Sequence, residues 1–486
     1  MLRSMVNFLF LICAGYGLWR LWRLAAGSSS LFSRIIAGGL VVRGITGMAL
    51  FWISYLALPV ARSLQAGNGF WFFGIDGTTY YAIAEQAAAG GPIAILGISD
   101  TTPSAVYVRL LAIGIWLLGE VPSVALLLNA GAYLGAAALI VEWARRNSVP
   151  TTRTAIPLFA ISFLPAWILW SVQPLKDTVF CFFIILFAAS MDSFLRGWQA
   201  DVSRETWKLV RAGALLAVSI YALAGIRWYY AVLALAAWST VMCALLGTRV
   251  ARRGWLPRAV VATSVFIVMW QLLLLGAGPY IPTTLRSVFH PFAPQAGRLS
   301  EVVEDARDNL SNYSTAGTRL RTASAVERLE RSLAASPARA PRGSDVLSSE
   351  LTAADLPRTI QGRLITGLAA LLLPRFIAQN VGLVNIGGGR GFWWFADIDT
   401  IATGLLLVTI ATSLRRKNWR EPMAWYALIA TAMIGAATAY TISNFGALFR
   451  HRQMFVATAL LLLVCVSRSS VEDRPAACGG EERTAA

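Results

Sequence analysis

Two aspartates, a lysine and a small set of arginines stand out because the chain around them is almost entirely apolar. Asp76 lies in "FWFFGIDGTTYYAIAEQAAAGGP" (Phe70 to Pro92), between Gly74 and Gly77 and just after an aromatic run suited to a membrane interface. A carboxylate held there can serve as general base toward a hydroxyl if an oxygen comes within hydrogen-bond distance. It could equally cap the helix that the spacing of Tyr80, Ala84 and Ala87–Ala88 predicts. Glu85, further along, reads as a solvated helix residue. In "WSVQPLKDT", Pro174 suits the first turn of a helix and Asp177 favours its dipole. Neither explains Lys176, which can pair with Asp177 or present a cation to a phosphate. Arg227 in "GIRWYY", Arg375 in "LLLPRF" and Arg450, His451 and Arg452 in "LFRHRQ" complete the set. Guanidinium groups bind phosphate bidentately. One interfacial arginine alone reads as contact with bulk phospholipid, whereas convergence of several would make a dedicated diphosphate site.

Other chemistries find little support. The chain has two histidines, far apart, and five cysteines, of which Cys13, Cys181, Cys243 and Cys465 lie inside apolar runs; neither a metal-ligand spacing nor a disulfide framework is present. No cofactor is implied, and a divalent-metal requirement is left open. "NIGGGRGFWW" (385–394) lacks the strand and helix that a dinucleotide fingerprint requires. The formal charge of +17 comes from arginines scattered through short loops, the pattern of an orientation signal and not of a nucleic-acid surface.

The elements that must position these residues are membrane spans. The chain is 57% hydrophobic and only 14% charged, against roughly 25% in soluble domains, and its mean hydropathy is +0.60. With about 20 apolar residues per crossing, spans are expected near 35–60, 122–143, 155–172, 177–195, 212–226, 230–247, 258–281, 395–414, 423–441 and 452–467. The short first run, Met5 to Leu18, reads as a retained anchor and brings the total to about eleven. The expected fold is therefore all-α and polytopic. Arginine-rich clusters at Arg20/Arg23/Arg34, Arg145/Arg146/Arg153, Arg196/Arg204/Lys208/Arg211, Arg249/Arg252/Arg253/Arg258 and Arg415/Arg416/Lys417/Arg420 should face the cytoplasm. All five share one side only if 107–119 and 364–382 are re-entrant or interfacial; the alternative has both spanning and one cluster outside. With that parity, Asp76, Glu85, Lys176, Asp177, Arg227, Arg375, Arg450, His451 and Arg452 collect on the outer side. The organisation read from this is a transmembrane module at 1–280 with a first outer loop at 62–121, a polar extracytoplasmic loop at 281–361, a second transmembrane module at 362–467, and a disordered tail at 468–486.

The order of these pieces resembles the C-type membrane glycosyltransferases that use polyprenyl-phosphate-linked sugars, and the related bacterial glycan polymerases. The resemblance rests on an apolar first region, the outer loop "GIDGTTYYAIA", the following "VYVRLLAIGIWLLGEVPSVALLLNAGAYLGAAALIVEWARR", a second loop "PLKDT", and "LLLPRF" and "LFRHR" nearer the C-terminus. It implies Asp76 as base and Asp177 as second-loop acid. On the transferase reading Lys176, Arg227, Arg450 and Arg452 stabilise the departing phosphate, and Arg375 and His451 join them in binding substrate. Tyr80 and Tyr81 would stack on sugar. The expected partners are a polyprenyl-linked donor, a glycan or lipid acceptor and membrane lipids in a bacterial inner membrane, with no nucleic acid. A flippase and a non-catalytic assembly subunit stay open beside the transferase; the former should carry charges near mid-span and symmetric broken helices.

Overall fold

A computed structural model describes residues 2–99, 102, 104–199, 206–247, 255–277, 360–380, 393–414, 421–441 and 445–467. The polar loop, apart from its last two residues, the glycine turn at 385–392 and the C-terminal tail lie outside these. The helices are α1 (Leu2–Ala26), α2 (Ser30–Tyr55), α3 (Asp76–Ala89), α4 (Gly91–Leu96), α5 (Ala105–Leu118), α6 (Val124–Arg146), α7 (Thr151–Phe163), α8 (Pro165–Leu169), α9 (Asp177–Gln199), α10 (Thr206–Gly247), α11 (Trp255–Ala277), α12 (Ile360–Leu372), α13 (Arg375–Asn380), α14 (Trp393–Leu414), α15 (Pro422–Thr441) and α16 (Phe445–Val466). A two-stranded antiparallel ribbon, Gln65–Gly67 with Phe70–Trp71, is the sheet among the described residues. Nine of the described helices are long and apolar enough to cross a membrane. The chain is an all-α, multi-pass membrane protein. No residue of the most apolar stretch of α1 is buried within the protein, whereas 89% of that of α16 is.

Helix α10 has 42 residues, enough for about two bilayer crossings at 1.5 Å per residue. Its backbone leaves helical geometry at Arg227 (φ −151°, ψ 83°) and folds back there. Arg227 meets Asp177 at the start of α9, while Leu209 from the first arm packs at Gly197, and Trp238 from the second arm packs against Phe194, both towards the end of α9. Both arms thus run beside α9. With these arms counted separately and the broken α7–α8 pass added, the helices accommodate about eleven crossings.

The two ends of the bundle differ in chemistry. At one, Arg196 bonds Asn147 at 2.5 Å, Arg146 bonds Ser193 at 3.2 Å, and Arg153 reaches the Ser467 carbonyl at 3.4 Å, so the ends of α6, α9 and α16 and the start of α7 share a face. α2 lies antiparallel to α6, with Gly39 against Tyr133 and Gly47 against Leu126, which carries the α1–α2 turn with Arg23 and Arg34 towards the same end. The opposite end holds Asp76, Asp177, Arg227 and Arg450. α5 does not cross: Ser104 at its start bonds the Ile226 carbonyl beside Arg227, and Gly114 near its end packs on Val124, where α6 begins. α12 and α13 are likewise too short to span, and Gly367 sits against Ala439 near the end of α15.

The apolar run expected to form one span at 155–172 is instead broken. Leu164 is extended (φ −60°, ψ 131°) because Pro165 follows it, and a residue before proline is pushed out of the helical region. In hydrocarbon the backbone groups freed by such a break need partners. Arg43, near the middle of the 26-residue α2, supplies them on one side: it donates to the carbonyls of Ser162 (2.8 Å), Trp167 (3.3 Å) and Ile161, and its guanidinium lies 4.2 Å from the Tyr133 ring centroid. Asp399 of α14 supplies them on the other, accepting from the Ala166 N–H at 3.0 Å. The break turns the chain into the 170–176 loop, which Asn129 fastens by donating to the carbonyls of Ser171 and Gln173.

Candidate functional site

Asp76 is the first residue of α3, one position past the N-cap Ile75. Asp76 Oδ2 accepts from Arg450 Nη1 at 2.6 Å, across 374 positions of sequence. Gly74 and Gly77 allow this placement. A Cβ at Gly74 would come within 3.1 Å of the Gln173 side chain, and one at Gly77 within 3.1 Å of the Pro174 carbonyl, so the first turn of α3 can rest directly on the 170–176 loop.

That loop delivers Lys176 and Asp177. Asp177 is fully enclosed, with Oδ1 accepting from Arg227 Nη2 and Oδ2 from Arg450 Nε, each at 2.7 Å. Both its oxygens are committed to guanidinium groups, so it holds Arg227 and Arg450 in place. Arg450 is a three-way junction: Nε on Asp177, Nη1 on Asp76, and its plane against Trp170 at 5.8 Å. Arg227 Nη1 donates to Tyr229 Oη at 3.1 Å and to His451 Nε2 at 2.5 Å. Arginine carries no acceptor, so this ring nitrogen is unprotonated and the imidazole is neutral, its Nδ1 facing Tyr230 Oη at 3.2 Å. Lys176 Nζ donates to Ser104 Oγ and lies 5.1 Å from the Tyr80 ring centroid.

The charges condition one another. Burial pushes the Asp76 carboxyl up, but Arg450, Lys176 and Arg227 outweigh it and hold the group below the usual carboxylate range. Its side chain keeps 43% of its area exposed, so the ionised group is also reachable. Burial, then Arg227 and Arg450, lower the Lys176 ammonium to about 7 in spite of the two aspartates. Burial and the neighbouring Glu120 raise Glu85, which stands apart from this cluster.

Asp76, Lys176, Asp177, Arg227, Arg450 and His451 therefore meet. Other expected site residues are placed elsewhere. Arg452 is fully enclosed on a different side of α16 and bonds the carbonyls of Ala370 and Ala396 and the Asp399 carboxylate, tying α12 and α14 to the bundle. It is closed off from a lipid phosphate. Arg375 opens α13, where its backbone N–H donates to Asp397 at 2.6 Å. Tyr80 is buried beneath Lys176, and Tyr81 is buried with its ring edge-on to Phe70; neither presents an open face to a sugar. Ser104, Tyr107, Trp170, Tyr229 and Tyr230 were not singled out in sequence. Only the aromatics following Arg227 carried a local signal. No protein-family model, curated protein or solved structure matches the chain.

Proposed function

We propose that the protein is a membrane glycosyltransferase that moves a sugar or glycan from a polyprenyl phosphate or diphosphate carrier to a hydroxyl acceptor at the outer face of a bacterial inner membrane. The observation that carries this reading is the pairing of reachable Asp76 with Arg450 in a cluster that also holds Lys176 and Arg227. The arginine-rich opposite end supports an outward-facing site through the positive-inside bias.

In this mechanism the acceptor hydroxyl donates its proton towards Asp76 while its oxygen attacks the anomeric carbon. The bond from that carbon to the carrier phosphate breaks, and Arg450 and Lys176 stabilise the negative charge that develops on the departing oxygen. Asp177 and Arg227 keep Arg450 aimed. A transporter would place its working charges near mid-span. Here Arg43, at mid-span, spends both terminal nitrogens on backbone carbonyls of the α7–α8 break, and the reactive groups stand at helix ends.

Asp76→Asn should reduce sugar transfer about 100-fold or more, measured with labelled polyprenyl-phosphate and polyprenyl-diphosphate sugars in membranes carrying equal amounts of each variant. The fold should survive because Arg450 keeps its bond to Asp177. Transfer at the wild-type rate would end the catalytic role of Asp76 and favour a non-catalytic assembly subunit.

The Lys176 value gives a second expectation. The ammonium is charged below about pH 7 and neutral above it, so affinity for the carrier phosphate should fall between pH 6 and 8.5, and Lys176→Arg should flatten the profile. Stability should move the other way. The unfolded lysine keeps its proton up to about pH 10.4, so the Lys176 contribution to stability rises with pH between about 7 and that value. A pH-independent affinity in the wild type would remove Lys176 from the phosphate site.

A further inference from the structure

Three buried donors in this cluster lack an acceptor among the described residues: Tyr107 Oη, Arg450 Nη2 and Arg227 Nε. Tyr107, on α5, is completely enclosed, with its ring edge-on to Tyr80 at 5.6 Å and its hydroxyl within electrostatic reach of Asp177 and Arg450. That hydroxyl makes no hydrogen bond among the described residues, and neither do Arg227 Nε and Arg450 Nη2, although the other two nitrogens of the Arg450 guanidinium are committed. Buried donors are nearly always paired, because an unmade bond there costs more than a made one gains. Three of the four carboxylate oxygens of the cluster are already in use: both oxygens of Asp177 and Oδ2 of Asp76 face guanidinium groups. Charge is unbalanced in the same sense. With Lys176 protonated, Lys176, Arg227 and Arg450 oppose Asp76 and Asp177 while His451 is neutral, leaving one positive charge over.

The missing component is thus a group rich in acceptors that carries about one negative charge, met by a phenol, a guanidinium and an ammonium arriving from three different elements. We propose that Tyr107 Oη and Arg450 Nη2 form the inner end of the site and bind the oxygens of a single phosphate group, with Lys176 on its outer side. This rests on the reading of the cluster as a phosphate site and adds to it a binding residue on α5, an element not otherwise assigned a role.

The geometry gives the test an unusual sign. If the hydroxyl serves only a ligand, Tyr107→Phe removes a buried group without a protein partner, so the ligand-free protein should unfold at the same temperature as wild type or higher while binding phosphate about tenfold more weakly. Full-length wild type and Tyr107→Phe would be titrated in phosphatidylcholine nanodiscs with inorganic phosphate, and separately in nanodiscs doped with polyprenyl phosphate, alongside thermal unfolding without either. A tenfold loss in either arm supports the proposal, and the arm in which it occurs tells a lipid headgroup from free phosphate. Equal affinity of the two proteins overturns the role of Tyr107 and leaves the phosphate reading standing. Binding of neither probe by wild type overturns both. A lower unfolding temperature for Tyr107→Phe shows that the hydroxyl serves the fold and also overturns the proposal.

Discussion

Asp177→Asn is expected to lower stability by about 3–5 kcal/mol, the usual cost of removing one partner from a buried ion pair. The carboxylate is fully enclosed and splits its oxygens between Arg227 and Arg450. Asparagine keeps one acceptor but turns an amide donor towards the other guanidinium, leaving like polarity face to face and a buried positive charge uncompensated. Thermal unfolding in detergent would measure the loss. Asp177→Leu combined with Arg227→Met should recover only part of the stability, since it removes both members of one buried pair but still strips Arg450 Nε of its acceptor. Transfer should stay abolished in that double variant, because Arg450 loses the partner that aims it. An unchanged melting temperature for Asp177→Asn would show that the carboxylate is not what holds the two arginines.

The second large effect arises at the α7–α8 break. Arg43→Leu uncovers the carbonyls of Ile161, Ser162 and Trp167 at the α7–α8 break, where lipid and packed apolar side chains offer no substitute partner. At about 1–3 kcal/mol for each unsatisfied buried group, less the relief of no longer burying an arginine, a net loss of about 3 kcal/mol or more is expected. The 170–176 loop continues directly from α8, so Lys176 and Asp177 should shift and transfer should fall with stability. Arg43→Lys should rescue only part, because one ammonium cannot reproduce a planar fork that serves several carbonyls. Wild-type unfolding of Arg43→Leu would mean that the break supports itself.

Much of the architecture was legible in the chain. Arginine-rich loops set the parity of the crossings, and that parity alone brought Asp76, Asp177, Arg227 and Arg450 to one end although hundreds of residues separate the first from the last. The details that escaped depend on side-chain packing. The apolar run at 155–172 concealed its break, although Pro165 in "FLPAW" marked it. Arg43 sat inside an expected span and drew no attention, though a charge at mid-span is itself a signal. Arg452 was grouped with Arg450 by proximity in sequence, yet residues two apart on a helix point to different sides, and the structure gives one to Asp76 and Asp177 and the other to Asp399. That Asp177 would spend both oxygens on arginines could not be read from a helix-start motif, which accounts for an acid there without any partner.

The fold-back of α10 at Arg227 bears on how the protein is made. With the arginine-rich end in the cytoplasm, the hairpin must enter the bilayer apex first, carrying a guanidinium outward against the resting potential at about 2.3 kcal/mol per 100 mV. Asp177 is synthesised 50 residues earlier, at the head of α9, and insertion in chain order would set it at the far leaflet before the hairpin follows. The arginine can therefore travel towards a waiting counter-ion, and chain order itself lowers the electrical barrier to biogenesis.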